Sequence, residues 1–459
     1  MIKPRDVRSV SDAKQLVEAR KSTYVKVGLF DIDGVMRGKY MSKEKFFSAL
    51  EHGFAFCDVV LGWDSQDQLY ENTGVKYTGW HTGYPDAPVR ILPETCRELP
   101  FEENTLLFLC EFKEPTAGIC PRNVLNRVLA KADEMGLEAQ AAFEYEFFLF
   151  NETPDSVRVK DYKNLTPFTP GFFGYSMLRN STFAELYHEL LQLAQDMDFP
   201  IEGLHTETGP GVLEAAISVD SAGAAADKAA LFKTFTKVWA QRRQLMATFM
   251  AKWSNDYPGQ SGHIHLSLKD KKSGRSLFYD AQQPMTMSRL QGHFIAGLQQ
   301  LLPEFMAMYA PTINAYSRVI PGYWAPTHAT WGCENRTTAL RLIPGSEKSQ
   351  RVEFRLGSAD ANPYLALAAA LAAGLYGITE KLAPGEMTTG NAYQQELPPA
   401  LKLPDNLGDA SRRFGGSQVA REYFGAGFVE HFSATRDWEV QEFRKHITDW
   451  ELARYFEII

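Results

Sequence analysis

Cysteine is scarce and unpatterned in this chain. Five cysteines are scattered over 459 residues, and no two of them form a Cys-x-x-Cys pair. An odd, scattered set argues against a disulfide framework and against a structural zinc site, and it is typical of reduced thiols in a cytosol. We therefore expect a cytoplasmic protein.

Long apolar runs and an excess of positive charge are also missing. The longest apolar stretch, residues 365–378, is too short to span a bilayer and is rich in alanine and glycine, so it predicts a tightly packed buried helix. Residues 1–6 lack the apolar core of a signal peptide. The formal net charge of −8 argues against nucleic acid or an anionic membrane as the main partner.

The remaining composition is that of an ordinary soluble globular protein. Hydrophobic residues make up 44% of the chain and charged residues 23%, which excludes the disordered and membrane-embedded classes. The length allows two or three domains. A short connector at residues 115–121 follows a strand-rich first part, so we place the domain boundary there, with domains at 1–115 and 116–459.

The most informative stretch is Ala141–Phe150, whose length and aromatic content predict a strand. Side chains alternate along a strand, so Glu144 and Glu146 share one face while Phe143 and Tyr145 lie on the other. Two carboxylates this close beside buried aromatics repel each other unless a cation or a shared proton lies between them. The plain alternative is a strand whose acidic face meets water.

Four further segments are predicted to carry polar residues on one strand face. Residues 200–217 predict a hairpin with its turn at 208–211, in which Glu207 and Glu214 face each other. The other predicted strands and their polar residues are 261–267 (His263, His265, Ser267), 335–344 (Arg336, Arg341) and 351–355 (Arg351, Glu353, Arg355). A long helix is predicted at residues 224–252. Each polar face alone has an ordinary explanation, but their repetition in apolar surroundings is unusual.

Together these residues suit two neighbouring divalent ions. The candidate ligands are five carboxylates and one imidazole: Glu144, Glu146, Glu207, Glu214, Glu353 and His263. Ligand sets dominated by oxygen select Mg²⁺ or Mn²⁺ over zinc. Four arginines, at positions 318, 336, 341 and 355, would complement phosphate or carboxylate. Two hard metals with several arginines indicate phosphoryl transfer, and the lack of a Gly-x-x-x-x-Gly-Lys-Ser/Thr loop excludes a P-loop enzyme.

Several ordered motifs make the chain resemble the glutamine synthetase superfamily from about residue 24 to the C-terminus. The motifs are FEYEFFLF, the Glu207…Glu214 pair, SGHIHLSL, NAYSRVIPGYWAP, ENRTTALRL and RVEFRLGSADANPY. The resemblance implies an α+β fold, with a small N-terminal β-grasp domain and a larger catalytic domain whose curved antiparallel sheet is backed by helices. It also implies a homo-oligomer built as a hexameric ring, sometimes stacked as a dodecamer.

The resemblance further implies a role for each matched residue. The first metal would be bound by Glu146, Glu207 and Glu214, and the second by Glu144, His263 and Glu353. Nucleotide contacts would come from Glu202, His265, Ser267, Lys348 and Arg351. Glutamate would be contacted by Arg318 and Arg355. The transferred phosphoryl group would be contacted by Arg336 and Arg341, and the nucleophile by Tyr175 and Glu207. A neighbouring subunit would contribute an acid, either Asp58 or its rival Asp64.

The implied reaction has two steps, in which ATP phosphorylates the glutamate γ-carboxylate and an amine nitrogen then displaces phosphate.

Ammonia-using members carry a glutamate after Pro-Gly-Tyr in the segment that closes over the site, whereas this chain carries Trp324. An indole cannot accept a proton and cannot balance the charge of ammonium. With GYSMLR at 174–179, the chain resembles the γ-glutamyl-amine ligases, including γ-glutamylpolyamine synthetases.

We therefore expect an enzyme that uses glutamate, ATP and an organic primary amine, with two or more Mg²⁺ or Mn²⁺ ions in each site. The alternatives are a plain glutamine synthetase and a non-catalytic relative, although a non-catalytic relative would be expected to lose metal ligands that this chain retains. Tyr393 falls where some bacterial members are adenylylated, but its flanking match is weak.

Overall fold

The computed structural model describes residues 3–71 and 74–459, and it contains two β-sheets with helices packed around them. The strands are β1 Tyr24–Phe30, β2 Met36–Ser42, β3 Phe54–Cys57, β4 Asp86–Ile91, β5 Arg97–Glu98, β6 Leu106–Phe112, β7 Leu137–Phe150, β8 Ile201–Thr206, β9 Val212–Ile217, β10 Asp220–Ser221, β11 Met246–Thr248, β12 Gly262–Asp270, β13 Trp331–Cys333, β14 Leu340–Ile343 and β15 Arg351–Phe354. The α-helices are α1 Val10–Ala19, α2 Lys43–His52, α3 Pro121–Glu134, α4 Pro154–Val159, α5 Met177–Thr182, α6 Ala184–Asp196, α7 Ala222–Gln241, α8 Arg289–Tyr309, α9 Ala315–Arg318, α10 Pro363–Thr379, α11 Leu407–Gly416, α12 Gln418–Phe424, α13 Ala426–Phe443 and α14 Asp449–Tyr455. The predicted α+β class is confirmed.

The smaller sheet has the strand order β2-β1-β6-β4-β3, with β5 pairing to β6. Its β1–β6 pair is parallel and its other pairs are antiparallel. The turn between β1 and β2 is attached to the later part of the chain, because the Asn362 amide donates to the carbonyls of Asp31 and Ile32 at 3.0 and 3.1 Å. Arg436 donates to Asp33 at 2.7 Å. Residues far apart in sequence thus fix the position of this hairpin.

The larger sheet has the order β13-β14-β15-β12-β7-β9-β8, with β10 and β11 also pairing to β7. Its long central strand is β7, which contains both glutamates of the FEYEFFLF motif. The register places Glu144 opposite His263 on β12 and Glu146 opposite Glu214 on β9. Directly paired residues of antiparallel strands share a face, so this register brings acidic and imidazole side chains together over the centre of the sheet.

The other face of β7 is buried against helix α7. Phe232 of α7 is fully buried, and its ring centroid lies 5.9–6.1 Å from those of Tyr145, Phe147, Phe199 and Phe249. Aromatic pairs at such separations stabilise a core beyond their area burial. The rigid aromatic layer therefore holds the strand whose opposite face carries the charged residues.

Truncating the centre of this layer should be costly. We expect Phe232→Ala to lower the free energy of unfolding by about 3–5 kcal/mol, since it removes a buried ring and leaves a cavity. Denaturant unfolding measures the loss, and Phe443→Ala, at a half-exposed position ending α13, is the matched control. A loss below about 1 kcal/mol at Phe232 would contradict this view of the core.

The apolar run at 365–378 lies in α10, as predicted, and most of this helix is buried. It packs against α8 so closely that a Cβ added to Gly297 would lie 2.1 Å from the Ala373 carbonyl oxygen. Only glycine fits such an approach of two backbones. Within the described ranges, no helix combines the length and the apolar character that crossing a membrane requires.

Two predicted elements were wrong in extent. The helix predicted at 224–252 ends at Gln241, because the chain reverses through Gln244, whose φ is +56°, and Met246–Thr248 then pairs with β7. The strand predicted at 335–344 covers only 340–343. Asn335 accepts hydrogen bonds from the amide and hydroxyl of Thr337, so the segment that carries Arg336 forms a turn instead of a strand.

Candidate active site

A cavity of about 520 Å³ opens over the charged face of the larger sheet. It brings together residues that are dispersed over more than 200 positions of the sequence. The predicted site residues in its wall are Glu144, Glu146, Tyr175, Glu207, Glu214, His263, His265, Arg318, Trp324, Arg336, Arg341, Arg351, Glu353 and Arg355. All six predicted metal-binding residues are therefore in one cavity.

The first cluster is centred on Glu144 and His263, which are register partners. Nδ1 of His263 lies 3.1 Å from Oε1 of Glu144 and 3.4 Å from Oε1 of Glu353. Glu144, Glu214 and His263 each offer one ligand atom within 4.8 Å of the others, and so do Glu144, His265 and Glu353. Such mixed oxygen and nitrogen sets fit a divalent cation.

The second cluster contains Glu207, Glu214 and His205. The expectation that Glu207 and Glu214 face each other was wrong, since the register partner of Glu214 is His205. Glu207 lies one residue beyond β8, where its amide donates to the Val212 carbonyl, yet both carboxylates still reach the cavity. His205 was missed by sequence reasoning. The available signal was its i, i+2 spacing from Glu207, which puts both on one strand face.

Electrostatic repulsion among these carboxylates is visible in their pKa values. Burial raises the pKa of Glu214, and the neighbouring carboxylates of Glu144 and Glu146 raise it further. Burial would also raise the pKa of Glu144, but hydrogen bonding to His263 and His265 outweighs it and lowers that pKa. Crowded carboxylates beside imidazoles are the donor set that a hard divalent ion requires, so the residues present fit Mg²⁺ or Mn²⁺.

Arginines also line this cavity, next to the carboxylates. Glu353 accepts hydrogen bonds from Arg341, at 2.9 Å, and from Arg355. Burial would raise the pKa of Glu353, but His263 and Arg355 outweigh it and lower the value to about 2. Arg318 is 2% exposed and donates to the carbonyls of Leu356 and Arg355 at 2.8 and 3.2 Å. These guanidinium groups are held in place and can complement anionic substrate groups.

A second cavity, of about 350 Å³, shares Glu144, His265 and Arg351 with the first. Every residue predicted to contact nucleotide lies in its wall: Glu202, His265, Ser267, Lys348 and Arg351. Nε of Arg351 donates to Nδ1 of His265 at 3.2 Å, which links the two cavities. An elongated ligand could thus extend from the second cavity to the carboxylate clusters of the first.

Aromatic residues form part of the cavity wall on two loops. Tyr175 and Trp324 are 69% and 56% exposed, and both have a positive φ, of 54° and 59°. Residues other than glycine rarely adopt this conformation, and where they do, it is often at a functional site. The Tyr175 amide donates to the Thr206 carbonyl at 2.7 Å, which attaches its loop to β8. Trp324, on the other loop, lines the same cavity as the carboxylates.

The acids predicted to act in a neighbouring subunit lie outside both cavities. Asp58 is buried and accepts a hydrogen bond from the Thr78 hydroxyl at 2.9 Å. Asp64 accepts from the amides of Gln66 and Gln68 and from the indole of Trp438. Both carboxylates are thus engaged within their own chain, and the choice between Asp58 and Asp64 stays open. Tyr393 lies in a short 3₁₀ helix, Ala392–Gln394.

Comparisons with known proteins agree with this arrangement. Residues 118–455 match the family model described as glutamine synthetase, catalytic domain. The type-1 glutamine synthetase 2 of Dictyostelium discoideum is 45% identical, over 96% of this chain and 85% of its own length. A glutamate–isopropylamine ligase from a Pseudomonas species is 36% identical, over 98% of this chain and 99% of its own.

A solved structure described as a GmaS/ADP complex has the same fold. It superposes with a TM-score of 0.84 at 25% sequence identity, and the match covers 97% of this chain and 99% of that one. Family model, relatives and solved structure each cover most or nearly all of the sequence. The chain therefore belongs to the glutamine synthetase family and is a ligase of that family.

Proposed function

We propose that this protein joins the γ-carboxylate of glutamate to an organic primary amine, with ATP as co-substrate and γ-glutamyl phosphate as the intermediate. One observation carries the amine assignment: Trp324 lines the cavity that also contains the carboxylates and arginines. An indole presents an apolar face to a carbon stem, and it offers ammonium neither a charge nor a proton acceptor.

The two cavities support a proposal for the metal and nucleotide sites. We assign Glu146, Glu207 and Glu214 to one Mg²⁺ or Mn²⁺ ion, and a second ion to Glu144, His263 and Glu353. When bound, such ions would offset the negative charge of the ATP phosphates. The nucleotide would lie in the second cavity, against Glu202, Ser267 and Lys348, with its phosphates toward the wall that both cavities share.

The chain's own residues would orient the reacting groups. Arg318 and Arg355 hold glutamate, and Arg336 and Arg341 neutralise charge on the transferred phosphoryl group. An oxygen of the γ-carboxylate attacks the terminal phosphorus of ATP and ADP leaves; the amine nitrogen then attacks the γ-carbonyl carbon and inorganic phosphate leaves.

The attacking amine must first lose a proton, because its own pKa is about 10, close to that of lysine. Two carboxylates are candidates for the base: Glu207, or Asp58 of a neighbouring subunit. Burial would raise the pKa of Glu207, but His205 and Thr208 outweigh it and lower that pKa. Tyr175 would lie beside the nitrogen.

Glutamine synthesis from ammonia is the second candidate function. It is favoured by the 45% identity to a relative named as a glutamine synthetase. The organic-amine assignment is favoured by the 36% identity, over nearly the whole of both chains, to a relative named as a glutamate–isopropylamine ligase. The two candidates share every step except the identity of the nucleophile.

We also propose that residues 1–115 and 116–459 form two domains, and that the subunits assemble as hexameric rings, single or stacked. Such a ring would allow Asp58 to complete a neighbour's site. The five free thiols are compatible with a reducing compartment, so we propose a cytoplasmic location.

The glutamate assignment can be tested with Arg318→Lys. Lysine keeps the charge but loses the fork that pairs with a carboxylate, so glutamate KM should rise about tenfold or more while amine KM changes little. Steady-state kinetics with each substrate varied in turn measures both KM values. A melting curve checks that the variant remains folded, because two backbone carbonyls lose their hydrogen bonds to Arg318. A change in amine KM alone would contradict the assignment.

The two-step reaction can be tested with ¹⁸O in the glutamate γ-carboxylate. Passage through γ-glutamyl phosphate transfers one ¹⁸O to inorganic phosphate for each amide formed. Mass spectrometry of the phosphate and of the γ-glutamyl amide measures both, and amide formation without ¹⁸O transfer would contradict the proposed intermediate.

A further inference from the structure

His205 lies in the active-site cavity without a role in the reaction described above. Its strand partner is Glu214, and its Nε2 atom lies 3.4 Å from Oε1 of Glu214 and 3.7 Å from Oε1 of Glu207. Nε2 is buried, and within the described part of the chain it makes no hydrogen bond. A buried ring nitrogen between two carboxylates without a hydrogen bond is unusual, because such groups are normally paired.

The orientation of the imidazole is fixed by stacking. The ring lies face to face with Tyr175, with centroids 4.3 Å apart and planes 9° from parallel. The Tyr175 backbone is itself anchored by its hydrogen bond to Thr206. The stack occupies a face of the imidazole and leaves its edge directed at the two carboxylates. Rigid orientation of a ring nitrogen in this way is typical of a preorganised ligand.

The spacing of the three donor atoms fits a shared cation. One atom each of His205, Glu207 and Glu214 lie within 4.8 Å of one another. An octahedral ion with ligands at about 2.1 Å has adjacent ligand atoms about 3.0 Å apart and opposite ones about 4.2 Å apart. The distances of 3.4 and 3.7 Å fall between these values. Small adjustments of these side chains would therefore bring all three donor atoms to ligand distance from one ion.

We infer that His205 is a ligand, through Nε2, of the divalent cation bound by Glu207 and Glu214. This inference rests on the proposed metal sites and adds a nitrogen donor to a set that sequence reasoning made entirely of carboxylates. Imidazole favours transition-metal ions, whereas carboxylates alone suit Mg²⁺ as well. Each of the two cation sites would then contain one histidine, and the site at His205 would prefer Mn²⁺ to Mg²⁺.

The test uses Mn²⁺-loaded full-length enzyme and pulsed electron paramagnetic resonance, which detects ¹⁴N bound to Mn²⁺. Because His263 and His265 are the other nitrogen candidates, the decisive sample is the His263→Gln/His265→Gln double variant. We expect it to retain a ¹⁴N signal, and we expect the triple variant that adds His205→Gln to lose it. Loss of every ¹⁴N signal in the double variant would overturn the inference, since no further histidine would then bind the ion.

Metal preference gives a second readout that does not depend on His263. In His205→Gln, Mn²⁺ should bind on the order of tenfold more weakly while Mg²⁺ affinity changes less, as expected when a nitrogen ligand is replaced. His188→Gln, at an exposed position on α6, is the matched control. Equal loss of both affinities would indicate that His205 only positions the carboxylates, and it would overturn the inference.

Failure of this inference and failure of the proposed function are distinguishable. An enzyme that shows the His205 nitrogen signal but transfers no ¹⁸O to phosphate would keep the ligand assignment and lose the proposed reaction. The opposite result would keep the reaction and remove His205 from the metal site.

Discussion

Glu144→Gln should reduce ATP-dependent phosphate release by on the order of 100-fold or more while leaving the protein folded. Among the residues that the structure describes, Glu144 belongs to two of the three groups that could hold a cation, and it lies in the wall of both cavities. Replacing a residue that only orients a metal ligand typically lowers metal affinity or activity by about 10–100-fold. Loss of a direct ligand should lower activity by at least about as much. The glutamine side chain is nearly isosteric with glutamate, so the fold should be kept. It carries no charge, so the imidazoles that pair with the Glu144 carboxylate lose that interaction.

Phosphate release with saturating glutamate, ATP and amine measures this effect, together with Mn²⁺ affinity by calorimetry. Glu138→Gln is the matched control, because Glu138 lies on the same face of β7 but is exposed and outside both cavities. Turnover of Glu144→Gln within about twofold of wild type would contradict the two-metal assignment.

Trp324→Glu should reverse the preference between organic amines and ammonia. The indole can bury an alkyl stem, and each buried CH₂ contributes about 0.8 kcal/mol, so two or three such groups correspond to about a 10- to 60-fold preference. Ammonia has no stem to bury, and it gains a charge partner from the new carboxylate. We therefore expect kcat/KM for the best organic amine to fall at least about tenfold and that for ammonia to rise.

The conservative variant Trp324→Phe separates the apolar contact from other effects. A phenyl ring keeps an aromatic wall, so the preference for organic amines should be largely retained. If Trp324→Phe and Trp324→Glu changed the ratio of amine to ammonia equally, the side chain at 324 would act through the shape of its loop and not through contact with the amine.

Much of the site could be predicted because strands have a strict two-residue period. Alternation alone places Glu144 and Glu146 on one face, and the same rule groups the polar residues of 261–267 and 351–355. The structure places all of them in one cavity wall or in its neighbour. Family motifs then supplied the expected roles.

What alternation cannot supply is register. Whether Glu214 faces Glu207 or His205 depends on the pairing register of β8 and β9, and a register shift of two residues exchanges one partner for the other. The end of the predicted helix at 224–252 was equally hidden. Met246–Thr248 is a strand only because β7 offers an edge to pair with, which is a tertiary contact that a local pattern does not contain.

The most direct test of the account is kcat/KM for ammonia and for a panel of primary amines, with ATP and glutamate saturating and phosphate release as the readout. The panel should include methylamine, isopropylamine, ethanolamine, a longer alkylamine, an aromatic amine and a diamine, so that stem size, polarity and a second charge vary separately. The account predicts that at least one organic amine exceeds ammonia by about tenfold or more. If ammonia exceeded every amine tested, the enzyme would be a glutamine synthetase and the role given to Trp324 would be wrong.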